Sequence, residues 1–171
     1  MAGAKAKRLS SFVSQLGAKS PDKRAEAAAE IGSILARAGD SPQALIRALQ
    51  DRSELVRVQA AASLGLIGDR TALRALWMAL KDRSGLARGY VASAIGDLGT
   101  DKDAVRLRSA LARERSPRAK VGYYAALHKF GDREAIPQLI ELTRTKDYRV
   151  RCAAANNLGR LASRRREAEV V

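Results

Sequence analysis

The chain has a single cysteine, Cys152, and a single histidine, His128, among its 171 residues. A lone cysteine closes no intramolecular disulfide and gives no argument for secretion. One histidine and one cysteine cannot assemble a zinc ligand set. His128 also has no serine or cysteine companion in its own segment, so it reads as a surface or groove residue rather than a catalytic base. Aromatics are 4% of the chain, so a core must be built from small and aliphatic side chains. No apolar run approaches the roughly 18 residues of a membrane span. The basic stretch Met1 to Arg8 leads into no apolar segment of signal-peptide type. There is no Gly-rich phosphate loop; Gly65-Leu-Ile-Gly68 and Gly96-Asp-Leu-Gly99 read as packing and capping glycines. No segment shows the strict alternation of a half-exposed strand. We therefore expect an all-α, cytoplasmic protein with no catalytic residues, no metal and no cofactor.

Acidic residues are also scarce. Lysine and arginine number 32 against 18 aspartates and glutamates, a net charge of +14 at pH 7. Such a field draws a protein toward anions: nucleic acid, an acidic protein surface or an anionic membrane. The excess is denser toward the C-terminus, +6 over residues 1–100 and +8 over residues 101–171.

What the chain does have is a period. Leu49, Leu80 and Leu111 lie 31 residues apart, as do Leu64 and Ile95. A basic column, Arg24, Arg57, Arg88, Lys120 and Arg151, stands seven residues before the apolar column Ile31, Leu64, Ile95, Leu127 and Leu158. A period of this length signals stacked repeats, in which each unit covers the apolar face of its neighbour. Each unit reads as two helices. Residues 71–80 carry apolar groups at 73, 76, 77 and 80, residues 81–85 are a polar turn, and 86–98 form a second helix. Gly68, Gly99 and Gly131 follow second helices where a left-handed cap is expected. Gly32, Gly65, Gly96 and Gly159 follow the apolar column, with His128 in the fourth unit. Glycine inside a helix costs about 1 kcal/mol relative to alanine, so its recurrence predicts a close helix contact. We place units at about 9–40, 41–69, 70–100, 101–132 and 133–162, the first with a short leading helix. Basic tails are expected at 1–8 and 163–171. Trp77 is assigned to packing, and Tyr123-Tyr124 to a bulge in one face or a wider gap between units.

The string Asp51-Arg-Ser-Glu-Leu-Val56-Arg57-Val-Gln-Ala60-Ala61-Ala-Ser-Leu64-Gly65-Leu-Ile-Gly68-Asp69 resembles HEAT repeats, specifically the short kind also found in phycobilin lyase subunits. The resemblance covers about residues 10–162 and implies a right-handed α-solenoid of about five helical hairpins. It also implies a ladder tying adjacent repeats, from an acid six residues before each basic residue: Asp51 and Arg57, Asp82 and Arg88, Glu114 and Lys120. Ala18 and Thr145 replace the acid in units one and five, so the ladder is expected to fail at both ends.

In such a stack the second helices line a concave face, at positions two, six and nine past the basic column. The candidate partner-binding residues there are Tyr90, Asp97, Lys129, Asn157 and Arg160. A second candidate is the edge made by the intra-repeat turns. Segments 81–88, 113–120 and 144–151 carry +2, +3 and +3, from Lys81, Arg83, Arg113, Arg115, Arg118, Arg144, Lys146 and Arg149. A row of basic turns can track a phosphate backbone, although Tyr148 is the one aromatic among them and single-strand platforms use several. The sequence thus favours a monomeric, non-enzymatic adaptor or scaffold with a protein partner. A nucleic-acid-binding edge is the alternative, and a lyase or DNA glycosylase-like subunit a weaker one, since a glycosylase of this type wants several tryptophans where this chain has Trp77.

Overall fold

Serine starts the second helices. Ser20, Ser84 and Ser116 sit at N-caps, where their hydroxyls accept the backbone N–H of Lys23, Ala87 and Ala119. Pro21 and Pro117 follow two of them, at the position where a proline ring fits the first turn without losing a hydrogen bond. Ser53 occupies the same place before Glu54. These caps define the frame of a computed structural model that describes the backbone of residues 2–36 and 42–169 and the side chains of 6–36 and 42–162.

Among the described residues there are ten helices: α1 (Ala2–Gln15), α2 (Pro21–Leu35), α3 (Gln43–Ala48), α4 (Glu54–Ile67), α5 (Leu73–Ala79), α6 (Gly85–Leu98), α7 (Ala104–Leu111), α8 (Pro117–Lys129), α9 (Ala135–Leu142) and α10 (Tyr148–Glu169). Short 3-10 turns at Arg70–Ala72 and Asp101–Asp103 lead into α5 and α7. Each odd-numbered helix packs on the even-numbered helix after it, and α2, α4, α6, α8 and α10 stack in sequence. The chain is an all-α solenoid of helical hairpins. No described helix is long and apolar enough to cross a membrane.

The apolar column forms the spine, with Ile31, Leu64, Ile95 and Leu127 at 2% exposure or less. Beside it the glycine column does what its cost implied. A Cβ on Gly32 would strike Ser63, one on Gly65 would meet Ala94, and one on Gly96 would overlap Ala126. Each glycine receives the small side chain six residues past the basic column of the next helix. Those positions are therefore buried contacts: Ser63 donates its hydroxyl to the Ala28 carbonyl at 3.0 Å, and Ala94, which also lines the groove described below, and Ala126 are buried.

Several local expectations differ from the outcome. Gly68 and Gly131 take left-handed φ values of 75° and 82°, but Gly99 is extended, φ −79° and ψ −168°. Its neighbour Thr100 donates its N–H to Asp103 Oδ2 at 2.9 Å in a capping box, which draws the chain straight into the next turn. The N-terminal segment expected as a tail is helix from Ala2 onward, anchored where Arg8 pairs with Glu30 at 3.4 Å. At the other end α10 continues through 163–169; Val170 and Val171 lie outside the described residues. Tyr123 is not a bulge on the concave face. It is 2% exposed and turns toward the intra-repeat-turn edge.

The core divides between units four and five. One buried cluster runs from Ala25 to Ala135, and a second joins Val121, Leu139, Val150 and Ala154. At this junction His128 stands in the glycine column, so α10 has no notch to enter.

Candidate functional site

Arginine and carboxylate columns make the most regular polar feature. Arg24 Nε and Nη2 donate to Asp51 at 2.8 Å each. Arg57 donates to Asp82 at 2.5 and 2.9 Å, and Arg88 to Glu114 at 2.6 and 2.8 Å. Each arginine thus takes the acid of the following unit, not the one six residues before it. Nη1 turns back to carbonyls of its own turn: Ala18 and Lys19 for Arg24, Asp51 and Arg52 for Arg57, Asp82 for Arg88. Each acid also accepts the N–H of its own cap serine, Ser53, Ser84 or Ser116, at 2.7 to 2.8 Å. One guanidinium therefore fixes two consecutive turns. Unit one joins the ladder after all, through Arg24, because what it lacks is only the acid. Lys120 drops out: it makes no ion pair among the described residues, since unit five offers Thr145.

The ladder is strongly ionised. The Arg24 hydrogen bond holds the Asp51 carboxyl below its ordinary range despite partial burial. Burial pushes the Asp82 and Glu114 carboxyls up, but hydrogen bonds from Arg57 or Arg88 and from the cap N–H outweigh it and leave both lowered. The same bonds raise the three arginines. The paired donor edge of each of these arginines is thus engaged within the fold.

A groove of about 220 Å³ runs along the inner curve. Its wall residues come from α4, α6, α8 and α10 alone, so helices two units apart share one cavity, which makes this the concave side. Its floor is the close approach of α6 and α8, where a Cβ on Gly122 would fall on the Gly89 backbone. Tyr90, Asp97, Asn157 and Arg160 line it, joined by Leu86, Arg118 and Asn156. Tyr90 is 42% exposed. Lys129 stands beside the groove and donates to Asp97 at 2.6 Å, an ion pair linking units three and four. Asn157 donates to the Ala153 carbonyl at 2.8 Å. The groove is lined by small and neutral side chains, one aromatic ring, the carboxylate of Asp97 and the cations Arg118 and Arg160.

The expected basic edge does not form one row. Arg118 belongs to the concave groove. Arg83 donates to the Arg52 carbonyl at 3.3 Å, and Arg144 pairs with Glu141 at 2.8 Å. Arg149 leans on the adjacent Tyr148, and Lys146 is exposed. Lys81, Arg113 and Arg115 do converge, around a cavity of about 640 Å³ that also holds Trp77, Arg106 and Tyr123. Arg106 lies 4.0 Å from the Trp77 ring centroid. Burial, then the Glu114 charge, pushes the Tyr123 hydroxyl up to about 12, so it stays neutral. Arg106 was missed because it lies on a first helix, outside the turn segments. The cap serines were also missed, though Ser20, Ser53, Ser84 and Ser116 each stand four residues before the basic column.

HEAT repeats are matched over residues 9–96, 43–120 and 104–170. The chain belongs to the HEAT-repeat family. Among solved structures it is similar to the complex of CpcE and CpcF of phycocyanin lyase from Nostoc sp. PCC7120, at 26% identity and a TM-score of 0.59. That match covers 86% of this HEAT-repeat chain and 62% of the other, so this chain spans less than two thirds of its neighbour. No curated protein matches its sequence.

Proposed function

We propose that this HEAT-repeat chain is a non-catalytic scaffold that holds a segment of another protein in its concave groove. The carrying observation is the groove itself. Four units contribute to one continuous cavity, with Tyr90 as the apolar contact and Arg118, Asn156, Asn157 and Arg160 as polar contacts on a floor of small residues. An aromatic ring flanked by arginines is the kind of pairing that dominates protein interfaces. The cations favour a segment carrying acidic side chains. The structural neighbour is a chain of a two-protein complex, which supports a protein partner here, and a subunit role in a lyase assembly is one form this reading can take.

The test is partner capture from cells with paired variants. Tyr90→Ala with Arg160→Glu should abolish capture, while charge reversal at Arg113, Arg115 and Arg149 should spare it. The opposite pattern would favour the nucleic-acid reading, which the cluster of Lys81, Arg106, Arg113 and Arg115 supports. Against that reading stand Arg83, Arg118 and Arg144, which are engaged elsewhere, so the row of phosphate-spaced cations is interrupted.

A further inference from the structure

Trp77, Arg106 and Tyr123 break the repeat. One period before Trp77 stands Ile46, and one and two periods before Arg106 stand Ala75 and Ala44. Three residues past the basic column the preceding units carry Ala27, Ala60 and Val91, where the fourth carries Tyr123. Those units stack with aliphatic side chains at all of these places. The three departures come from α5, α7 and α8, yet they line one cavity at the turn edge, of about 640 Å³. Departures from a local pattern that meet in space mark a function other than folding.

The charges around this cavity do not balance. Its two acids are already taken, Asp82 by Arg57 and Glu114 by Arg88. Lys81, Arg106, Arg113 and Arg115 also line it. None of these four makes an ion pair or a side-chain hydrogen bond among the described residues. Arg106 rests on the Trp77 ring, 4.0 Å from its centroid. A guanidinium held flat on a ring keeps its in-plane N–H groups free to donate.

Tyr123 supplies an independent sign of a ligand. It is 2% exposed, and its hydroxyl makes no hydrogen bond among the described residues. No fully enclosed side-chain oxygen or nitrogen lacks a partner there, so the hydroxyl is the part of Tyr123 that reaches the cavity. Burial keeps it protonated, and a protonated phenol donates. The site thus has a neutral donor at its floor and four unanswered cations around it. A carboxylate brings one charge and two oxygens. A phosphate monoester brings about −1.5 to −2 and three acceptor oxygens, which suits this donor set better. A polynucleotide instead offers a line of singly charged diesters, and the cations here cluster without forming a line.

We propose that the cavity formed by α5, α7 and α8 binds one phosphate monoester group, with Arg106, Arg113, Arg115 and Lys81 meeting its charge and the Tyr123 hydroxyl donating to one of its oxygens. Trp77 is a positioning residue that holds Arg106. The site lies outside the concave groove, and its use does not depend on what the groove holds.

Titration of the full chain tests this at about 150 mM salt. The probes are glycerol phosphate, a phosphoserine peptide, and dimethyl phosphate and sulfate as comparison anions. Calorimetry reads binding, and the emission of Trp77, the chain's one tryptophan, reports its place. Glycerol phosphate or the phosphoserine peptide should saturate the site below about 1 mM, with dimethyl phosphate and sulfate at least about tenfold weaker. Arg106→Gln should weaken binding at least about tenfold, and Tyr123→Phe at least about threefold. The Tyr123 hydroxyl bonds to nothing in the fold and the change leaves net charge untouched, so a loss there reports contact with the ligand. Arg149→Gln, away from the cavity, should leave binding unchanged. A peptide held much more tightly than glycerol phosphate assigns the group to a phosphorylated protein, and equal affinity assigns it to a small metabolite; either upholds the site. No saturation by either monoester, equal binding of all four anions, or indifference to both Arg106→Gln and Tyr123→Phe would overturn the proposal.

Discussion

Asp82 shows how much one side chain does. It accepts two bonds from Arg57, caps the turn through the Ser84 N–H, and is 8% exposed beside an arginine at 7%. Removing one member of a buried pair leaves the other charge uncompensated, at a cost of about 3–5 kcal/mol. Asp82→Ala should lower the denaturant midpoint accordingly. Gly122→Ala should cost about 1–3 kcal/mol, because its methyl meets the Gly89 backbone, which has no free end to yield. The ladder also sets an acid limit. A carboxyl whose folded pKa lies below its unfolded value contributes stability above the unfolded value and loses it as pH falls through the folded one. Asp51, Asp82 and Glu114 are lowered from 3.8, 3.8 and 4.5. Stability should be flat down to about pH 5 and fall steeply below pH 4, and less steeply in the Asp82→Ala protein, read by urea unfolding at each pH.

The helices are not equally held. Units one to four share a core cluster, close glycine notches and three ladder rungs. The fifth is held mainly by a second, smaller cluster that Val121 of unit four shares with Leu139, Val150 and Ala154, faces His128 instead of a glycine, and lacks a rung. Repeat arrays add up nearest-neighbour interfaces, so the weakest junction is where they open. Amide hydrogen exchange should be faster in α9 and α10 than in α4 and α6. Supplying the missing rung, with Lys120→Arg and Thr145→Asp together, should slow that exchange and stabilise the chain by roughly 1–3 kcal/mol, the range for a charged hydrogen bond. Either substitution alone should gain little. Equal protection across all units would refute this uneven-stack account.

At the scale of the molecule, charge and curvature separate the two candidate surfaces. The net charge of +14 ensures some attraction to polyanions, and the salt dependence reports how many phosphates are engaged. With the cations dispersed as found, binding to labelled double- and single-stranded nucleic acid should vanish between about 50 and 200 mM salt. Micromolar affinity at the upper end, with a steep log–log slope, would instead make the edge cavity around Trp77 and Arg106 the functional site.

The sequence by itself determined the repeat, the helix pairs, the buried column and the acid and base columns of the ladder. Those features depend on spacing along one chain, and periodic spacing is written directly in the residues. It did not reveal that Arg57 reaches forward to Asp82 instead of back to Asp51, because both acids stand in the same register. Nor did it show that Arg118 faces the groove while Arg113 and Arg115 face the edge, or that Arg106 stacks on Trp77. These follow from how far each helix is rotated and how closely it nests on the one before, set by contacts such as Gly89 against Gly122. Only the tertiary structure decided them, since the direction of a side chain is fixed by packing between units and not by its place within one.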